Sequence, residues 1–94
     1  MYVVYLNYFR PVAEVEALLA PHIDWLDRYF ANGAFIAAGR KDPRTGGMVL
    51  VKDMERAELD AILAEDPFVA VANYDVTKVN VTRAGEAFAG LTGI

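Results

Sequence analysis

The chain has 94 residues, 55% of them hydrophobic, and a formal net charge of −4 at pH 7. This length predicts a single domain with a modest core, and the acidic charge argues against a nucleic-acid partner, which would need a clustered positive patch. The sequence has no cysteine, which excludes disulfides and thiol chemistry and is typical of a cytoplasmic protein.

Membrane insertion and secretion are also not expected. No apolar run approaches the roughly 18 residues that a membrane span needs. The N-terminus has no basic region before its apolar run and no cleavage site, so we do not predict a signal peptide.

The first strand is predicted over Tyr2–Tyr8, a segment rich in aromatic and β-branched residues. Both of its faces are largely apolar, so we expect both to be covered. A helical region follows over Val12–Phe30, and Pro21 divides it, because a proline inside a helix removes one backbone hydrogen bond and clashes with the preceding turn. We therefore expect a short helix over Val12–Leu19, a bend, and a second helix with Pro21 in its first turn.

Two neighbouring stripes of apolar and aromatic residues run along this second helix. The first stripe is predicted to face the core and consists of Leu19, Ile23, Leu26 and Phe30. The second stripe lies beside it and consists of His22, Trp25 and Tyr29.

The rest of the chain alternates in the same way between strand and helix patterns. The predicted elements are a strand over Ala34–Gly39, a turn-rich loop over Arg40–Gly47, a strand over Met48–Lys52, a helix over Glu55–Ala64 with Asp53 as N-cap, a helical turn over Asp66–Ala70, and a strand over Tyr74–Thr82.

The element order is strand, helix, strand, strand, helix, strand, which predicts a ferredoxin-like α+β fold over residues 1–82. In this fold a four-stranded antiparallel sheet carries both helices on one face. The other face then needs a cover, and we expect a homodimer in which two sheets pack face to face. Residues 83–94 form a Gly- and Ala-rich tail with three apolar anchors, Phe88, Leu91 and Ile94.

His22 and Asp66 are the candidate catalytic residues. His22 is the only histidine, and we expect it in the first turn of a helix, where a neutral imidazole is suited to accepting a proton. Asp66 precedes Pro67, a pair that commonly starts a helical turn, so a purely capping role is the alternative. The two roles are compatible if one carboxylate oxygen caps the turn while the other contacts His22.

Four other residues are candidates for binding a substrate. Arg40, where the second strand enters the loop, is predicted to bind a substrate carboxylate. Tyr5, Trp25 and Phe68 are predicted to form the apolar wall of a small pocket near His22, with core packing as the alternative for each.

Several chemistries lack the residues that they need. One histidine and no cysteine argue against a zinc site made by the protein alone. No Gly-rich loop joins a strand to a helix, so nucleotide binding has no support. The chain contains no serine, which excludes a Ser-His-Asp hydrolase. No cofactor is therefore predicted.

Three short motifs give the chain a resemblance to the YCII-related domain family. They are Pro21-His22 followed by Trp25-Leu26, Ala37-Ala38-Gly39 at the end of the second strand, and Asp66-Pro67-Phe68 before the last strand. The resemblance runs from Met1 to about Val81. It implies a dimeric ferredoxin-like fold and a His-Asp site that maps onto His22 and Asp66. The chain departs from the family pattern at Arg40, where the family usually has proline.

Two functions from different classes are consistent with these residues. The first is a small cofactor-independent enzyme in which His22, oriented by Asp66, moves a proton on a cyclic or carbonyl-containing small molecule. The second is a non-catalytic module that binds a small ligand or another protein, in which the pair only fixes the loop before the last strand. A haem- or quinone-linked monooxygenase is a weaker third reading, since only His22 would be available to ligate iron.

Overall fold

A computed structural model describes residues 1–94, the whole chain. The strands and α-helices are β1 (Tyr2–Tyr8), α1 (Val12–Ala17), α2 (Leu19–Ala31), β2 (Phe35–Arg40), β3 (Gly46–Val51), α3 (Arg56–Ala64) and β4 (Ala72–Lys78). Short 3₁₀ helices cover Pro67–Ala70 and Glu86–Leu91. No helix combines the length and the apolar composition that crossing a membrane would require.

The four strands form one sheet in the order β2-β3-β1-β4, with every neighbouring pair antiparallel. Val4, near the middle of β1, lies opposite Val49 of β3 and Val76 of β4. This strand order and the interleaved helices confirm the predicted ferredoxin-like α+β fold.

The core lies between one face of the sheet and the helices. The sheet contributes Val4, Leu6, Val49 and Val51, and the helices contribute Val15, Trp25, Leu59, Ile62 and Leu63, all of them buried. Side chains alternate along a strand, so the residues between them, such as Val3 and Tyr5, lie on the opposite face, which no helix covers.

The bend before Pro21 occurs as predicted, because α1 ends at Ala17 and α2 starts at Leu19. Pro21 is the third residue of α2, where an amide hydrogen has no partner within the helix. The next residue, His22, resumes backbone bonding by donating to the carbonyl of Leu18 at 3.1 Å. Regular backbone hydrogen bonding in α2 therefore starts at His22, directly after the proline.

The predicted core stripe of α2 is wrong for two of its four members, since Leu19 and Leu26 are half-buried against the core. Ile23 and Phe30 are exposed, whereas His22 and Trp25 are buried. Both stripes are apolar enough to face the core, so periodicity alone did not distinguish them. The polar atoms of the second stripe decide which side of α2 faces the core, because they have hydrogen-bond partners on neighbouring elements. The Trp25 indole Nε1, for example, donates to the carbonyl of Ile62 at 2.9 Å.

Two predicted boundaries also differ from the structure. The strand predicted over Tyr74–Thr82 runs from Ala72 to Lys78. The helix α3 has Glu55 rather than Asp53 at its N-cap, without a side-chain cap, and the Asp53 carboxylate instead pairs with Lys78 at 3.2 Å.

The hairpin between β2 and β3 is tighter than predicted, since only residues 41–45 connect the strands. It closes with a hydrogen bond from the Lys41 amide to the Gly46 carbonyl, at 2.9 Å. A Cβ atom at Gly46 would lie 1.8 Å from the backbone oxygen of Leu6, so only glycine fits there. The amide of Tyr8 donates to the carbonyl of Thr45 at 3.0 Å, which holds the hairpin loop against the end of β1.

The C-terminal tail contacts the rest of the domain through its last residue, Ile94. The amide of Asp53 donates to the carbonyl of Ile94 at 2.8 Å. Of the three predicted anchors, Leu91 and Ile94 are half-buried, whereas Phe88 is 66% exposed and does not act as an anchor within one chain.

Candidate functional site

His22 and Asp66 are in direct contact although they are 44 positions apart in the sequence. His22 Nδ1 lies 2.7 Å from Asp66 Oδ1. Both residues are buried, with 9% of His22 and 2% of Asp66 exposed. The helix α2 supplies the histidine, and the segment that leads into the 3₁₀ helix Pro67–Ala70 supplies the carboxylate. The fold therefore joins the two residues that the sequence singled out.

Asp66 also caps the 3₁₀ helix, but not in the way expected. The same oxygen, Oδ1, accepts from the Phe68 amide at 3.0 Å and faces His22 Nδ1. The sequence had suggested one oxygen for each role. Sharing is possible because a carboxylate oxygen has two lone pairs. The second oxygen is left for another donor.

That donor is Tyr74, on β4. Its hydroxyl donates to Asp66 Oδ2 at 2.5 Å. Burial, together with the hydrogen bond to the Asp66 carboxylate, raises the pKa of the Tyr74 hydroxyl, so this group remains a proton donor to Asp66. Asp66 thus accepts three hydrogen bonds, which is the arrangement that allows a carboxylate to be buried.

The contact with Asp66 predicts which nitrogen of the His22 ring carries the hydrogen. Because a carboxylate can only accept hydrogen bonds, we expect Nδ1 to carry the hydrogen and to donate it to Oδ1. In the neutral ring, Nε2 then has a free lone pair. The Phe68 ring stacks on the imidazole with centroids 3.7 Å apart and planes 2° from parallel. The Phe68 ring and the Asp66 hydrogen bond together fix the orientation of the imidazole.

A cavity of about 210 Å³ adjoins His22, between α2 and the sheet. This volume is below the range typical of sites for drug-sized ligands, so the cavity suits a smaller molecule. Its lining is mostly apolar and consists of Leu6, Tyr8, Leu19, His22, Ile23, Leu26, Ala38, Gly39, Arg40, Arg44, Gly47, Met48, Val49 and Phe68.

Two of the four predicted substrate-binding residues line this cavity. Arg40 is at the end of β2, opposite Gly47, and faces the helix side of the sheet. Phe68 reaches the cavity from the 3₁₀ helix and stacks on His22. His22, Arg40 and Phe68 are thus brought together around one space.

Trp25 and Tyr5 are not in that space. Trp25 is fully buried and packs against Phe35, with ring centroids 5.0 Å apart, so it supports the site from the core. Tyr5 is 44% exposed on the opposite face of the sheet, and its expected position near His22 is wrong. The helices cover the face that carries Val4 and Leu6, and the strand alternation turns Tyr5 away from it.

Sequence reasoning missed Tyr74 and Arg44. Tyr74 lies opposite Leu6 in the sheet and therefore on the helix side, so the correct register of β4 would have placed it near Asp66. Arg44 is in the β2–β3 hairpin loop, lines the cavity, and pairs with Glu16 of α1. The hydrogen bond to Glu16 raises the pKa of the Arg44 guanidinium. A turn-rich loop gives no sequence signal for which way such a side chain points.

Metal ligands are not clustered in the chain. No group of three or more His, Cys, Asp or Glu side chains is arranged to hold a metal ion. The Asp66 oxygens are occupied by protein donors, as described above.

Comparison with protein families gives a match over most of the chain. The family model of the YCII-related domain matches residues 1–82, which include His22, Asp66 and all four strands. A search of curated proteins finds no significant match. Because the match spans most of the 94 residues, it confirms the resemblance seen in the sequence motifs. The chain belongs to the YCII-related domain family.

Proposed function

We propose that the protein is a small enzyme that moves a proton on a carbonyl-containing or cyclic small molecule without a cofactor. The observation that supports this most directly is the His22–Asp66 hydrogen bond of 2.7 Å, with His22 at the wall of a cavity. An imidazole whose Nδ1–H is bound by a carboxylate has its other nitrogen free to act as a base.

In the proposed reaction, His22 Nε2 takes a proton from a carbon atom next to a carbonyl group. The ring becomes an imidazolium, which the buried Asp66 carboxylate stabilises through Nδ1–H. The electron pair left by the C–H bond moves towards the carbonyl oxygen. Return of the proton to a different atom completes an isomerisation, and departure of a leaving group completes an elimination. Arg40 and Phe68 are the proposed substrate contacts.

The expected result for His22→Asn is a loss of proton transfer without loss of the fold. Asparagine places an amide N–H near the position of Nδ1, so it keeps a donor for Asp66 but has no counterpart of Nε2. A set of cyclic and carbonyl compounds is incubated in D₂O, and NMR follows the exchange of carbon-bound hydrogen for deuterium. We expect exchange with the wild-type protein and a rate about 10²–10⁴-fold lower with His22→Asn.

Arg10→Gln is the control for this experiment, because Arg10 is exposed, pairs only with Glu14 and does not line the cavity. An unchanged exchange rate in His22→Asn would contradict the base role. Compounds that bind to the wild-type protein without any exchange would favour the alternative, a ligand-binding module.

We further propose that a second copy of the chain covers the open face of the sheet. Val3, Tyr5, Met48 and Leu50 make this face largely apolar. It also carries charges of opposite sign near Tyr5, since Lys41 Nζ lies 5.1 Å from the Tyr5 ring and Asp75 is the strand neighbour of Tyr5 in β4. Two copies related by a two-fold axis present this surface to each other, which suits self-association.

Tyr5→Asp is expected to convert the dimer to a monomer, because it places a charge in the centre of the proposed interface. Size-exclusion chromatography with light scattering measures the mass. Ala57→Asp, at an exposed position of α3, is the control and should leave the mass unchanged. A wild-type protein with monomer mass, or a Tyr5→Asp variant that is still dimeric, would contradict this interface.

A further inference from the structure

The cavity beside His22 differs in charge from the rest of the molecule. The chain has a net charge of −4, yet Arg40 and Arg44 line the cavity and no Asp or Glu does. Arg40 forms no ion pair within the chain. A small, mostly apolar space lined by two cations, of which only Arg44 has an anionic partner, Glu16, is complementary to a small anion with an apolar body.

Arg44 has hydrogen-bonding capacity that the protein does not use. Its Nη1 donates to Glu16. Its Nε and Nη2 are shielded from solvent and make no well-formed hydrogen bond, although the nearby Tyr8 hydroxyl contributes to the raised pKa of Arg44. A guanidinium always retains its hydrogens, so these donors cannot be removed by deprotonation. Buried donors without a partner are rare in folded proteins and call for an explanation.

The two unused nitrogens form one edge of the guanidinium. Parallel N–H groups along such an edge match the two oxygens of a carboxylate, which they bind as a pair. Binding in this way requires the Arg44 side chain to turn its free edge towards the cavity. Arg44 is held through Glu16, a half-exposed residue of α1, and it also interacts with the hydroxyl of Tyr8, so the turn exchanges these contacts for the ligand.

We infer that the cavity binds a small carboxylic acid, with Arg44 as the principal anchor of the carboxylate and the apolar body of the ligand against Phe68 and His22. This inference rests on the proposed function in naming the substrate class of the same site, but the binding step does not depend on proton transfer. The carboxylate end is held at the hairpin loop, and the opposite end of the ligand approaches Nε2 of His22.

The probes are benzoate and cyclohexanecarboxylate, each compared with its neutral amide and, for the aromatic ring, with phenylphosphonate. NMR titration of the wild-type protein gives the dissociation constants. We expect each carboxylate to bind about tenfold or more tightly than its amide, as for a hydrogen bond to a charged group. Equal binding of acid and amide, no binding of either acid, or a preference for phenylphosphonate would each overturn the inference.

Four variants locate the anchor. Arg44→Gln should lose the preference for the carboxylate, and Arg44→Lys should keep only part of it, because lysine has the charge without the paired edge. Arg10→Gln, outside the cavity, should keep all of it. If Arg40→Gln removes the preference and Arg44→Gln does not, the assignment to Arg44 is wrong.

Carboxylate binding and proton exchange, both measured on the wild-type protein, separate this inference from the proposed function. Carboxylate preference without proton exchange in the wild-type protein would support the binding site and contradict the enzyme. Proton exchange on neutral carbonyl compounds alone would support the enzyme and contradict the anchor.

Discussion

Replacement of Asp66 by alanine is expected to lower the free energy of unfolding by about 3–5 kcal/mol, because each buried donor that is left without an acceptor costs about 1–3 kcal/mol. Three donors lose their acceptor at once: the imidazole Nδ1–H of His22, the amide of Phe68 and the hydroxyl of Tyr74. All three donors lie at or near the buried carboxylate, so water does not readily take the place of the lost acceptor. Urea denaturation followed by far-UV circular dichroism measures the change.

Asp66→Asn is the informative companion. Its amide oxygen can still accept from Phe68 and His22, and its amide nitrogen can donate to the Tyr74 oxygen after the hydroxyl rotates. We therefore expect a smaller loss, about 1–2 kcal/mol. Asp60→Ala removes an exposed pair with Arg56 and serves as the control, with an effect below about 1 kcal/mol. An Asp66→Ala variant as stable as this control would contradict the network.

Replacement of Trp25 by alanine is expected to cost about 3–5 kcal/mol, the usual range for a large aromatic residue in a core. Trp25 has no exposed surface, and it packs edge-on against Phe35 and Tyr29. Truncation leaves a cavity and also leaves the carbonyl of Ile62 without its donor. Because a small domain has only about 5–15 kcal/mol of stability, this loss would be a large fraction of the total.

Trp25→Phe should lose less, because it keeps an aromatic ring in the core and loses mainly the hydrogen bond to Ile62. Phe88→Ala is the control, because Phe88 is largely exposed, and its effect should lie within about 0.5 kcal/mol. If Trp25→Phe instead keeps full stability and loses ligand binding, Trp25 is a substrate contact as the sequence had suggested, and its assignment to the core is wrong.

The fold was predictable because its signals are local and mutually consistent. The strand over Tyr2–Tyr8, the break at Pro21 and the helical turn after Asp66 each follow from the conformational preferences of particular residues. Their order then leaves few topologies. The boundaries that failed, at Asp53 and at the last strand, depend on tertiary contacts such as the Asp53–Lys78 pair, which local preferences do not contain.

The site was predictable in part, since His22 and Asp66 are in contact and Arg40 and Phe68 line the cavity beside them. A lone histidine and an Asp-Pro pair are conspicuous in a sequence, but the stripe of α2 that enters the core was not decided by hydrophobicity. It depends on partners for His22 and Trp25 that lie more than thirty residues away. The inclusion of Tyr74 and Arg44 depends on strand register and on the conformation of one loop, and neither can be obtained from residue type.

The central claim is that Asp66 holds His22 as the Nδ1–H tautomer, with Nε2 free at the cavity. The most direct test is a long-range ¹⁵N–¹H NMR spectrum of the side chain, at a pH where the ring is neutral. The chain has one histidine, so the spectrum of the tag-free protein is unambiguous. We predict a protonated Nδ1 and an unprotonated Nε2 in the wild-type protein, and loss of this preference in Asp66→Ala. A wild-type protein with the hydrogen on Nε2 would contradict the proposed base and the mechanism built on it.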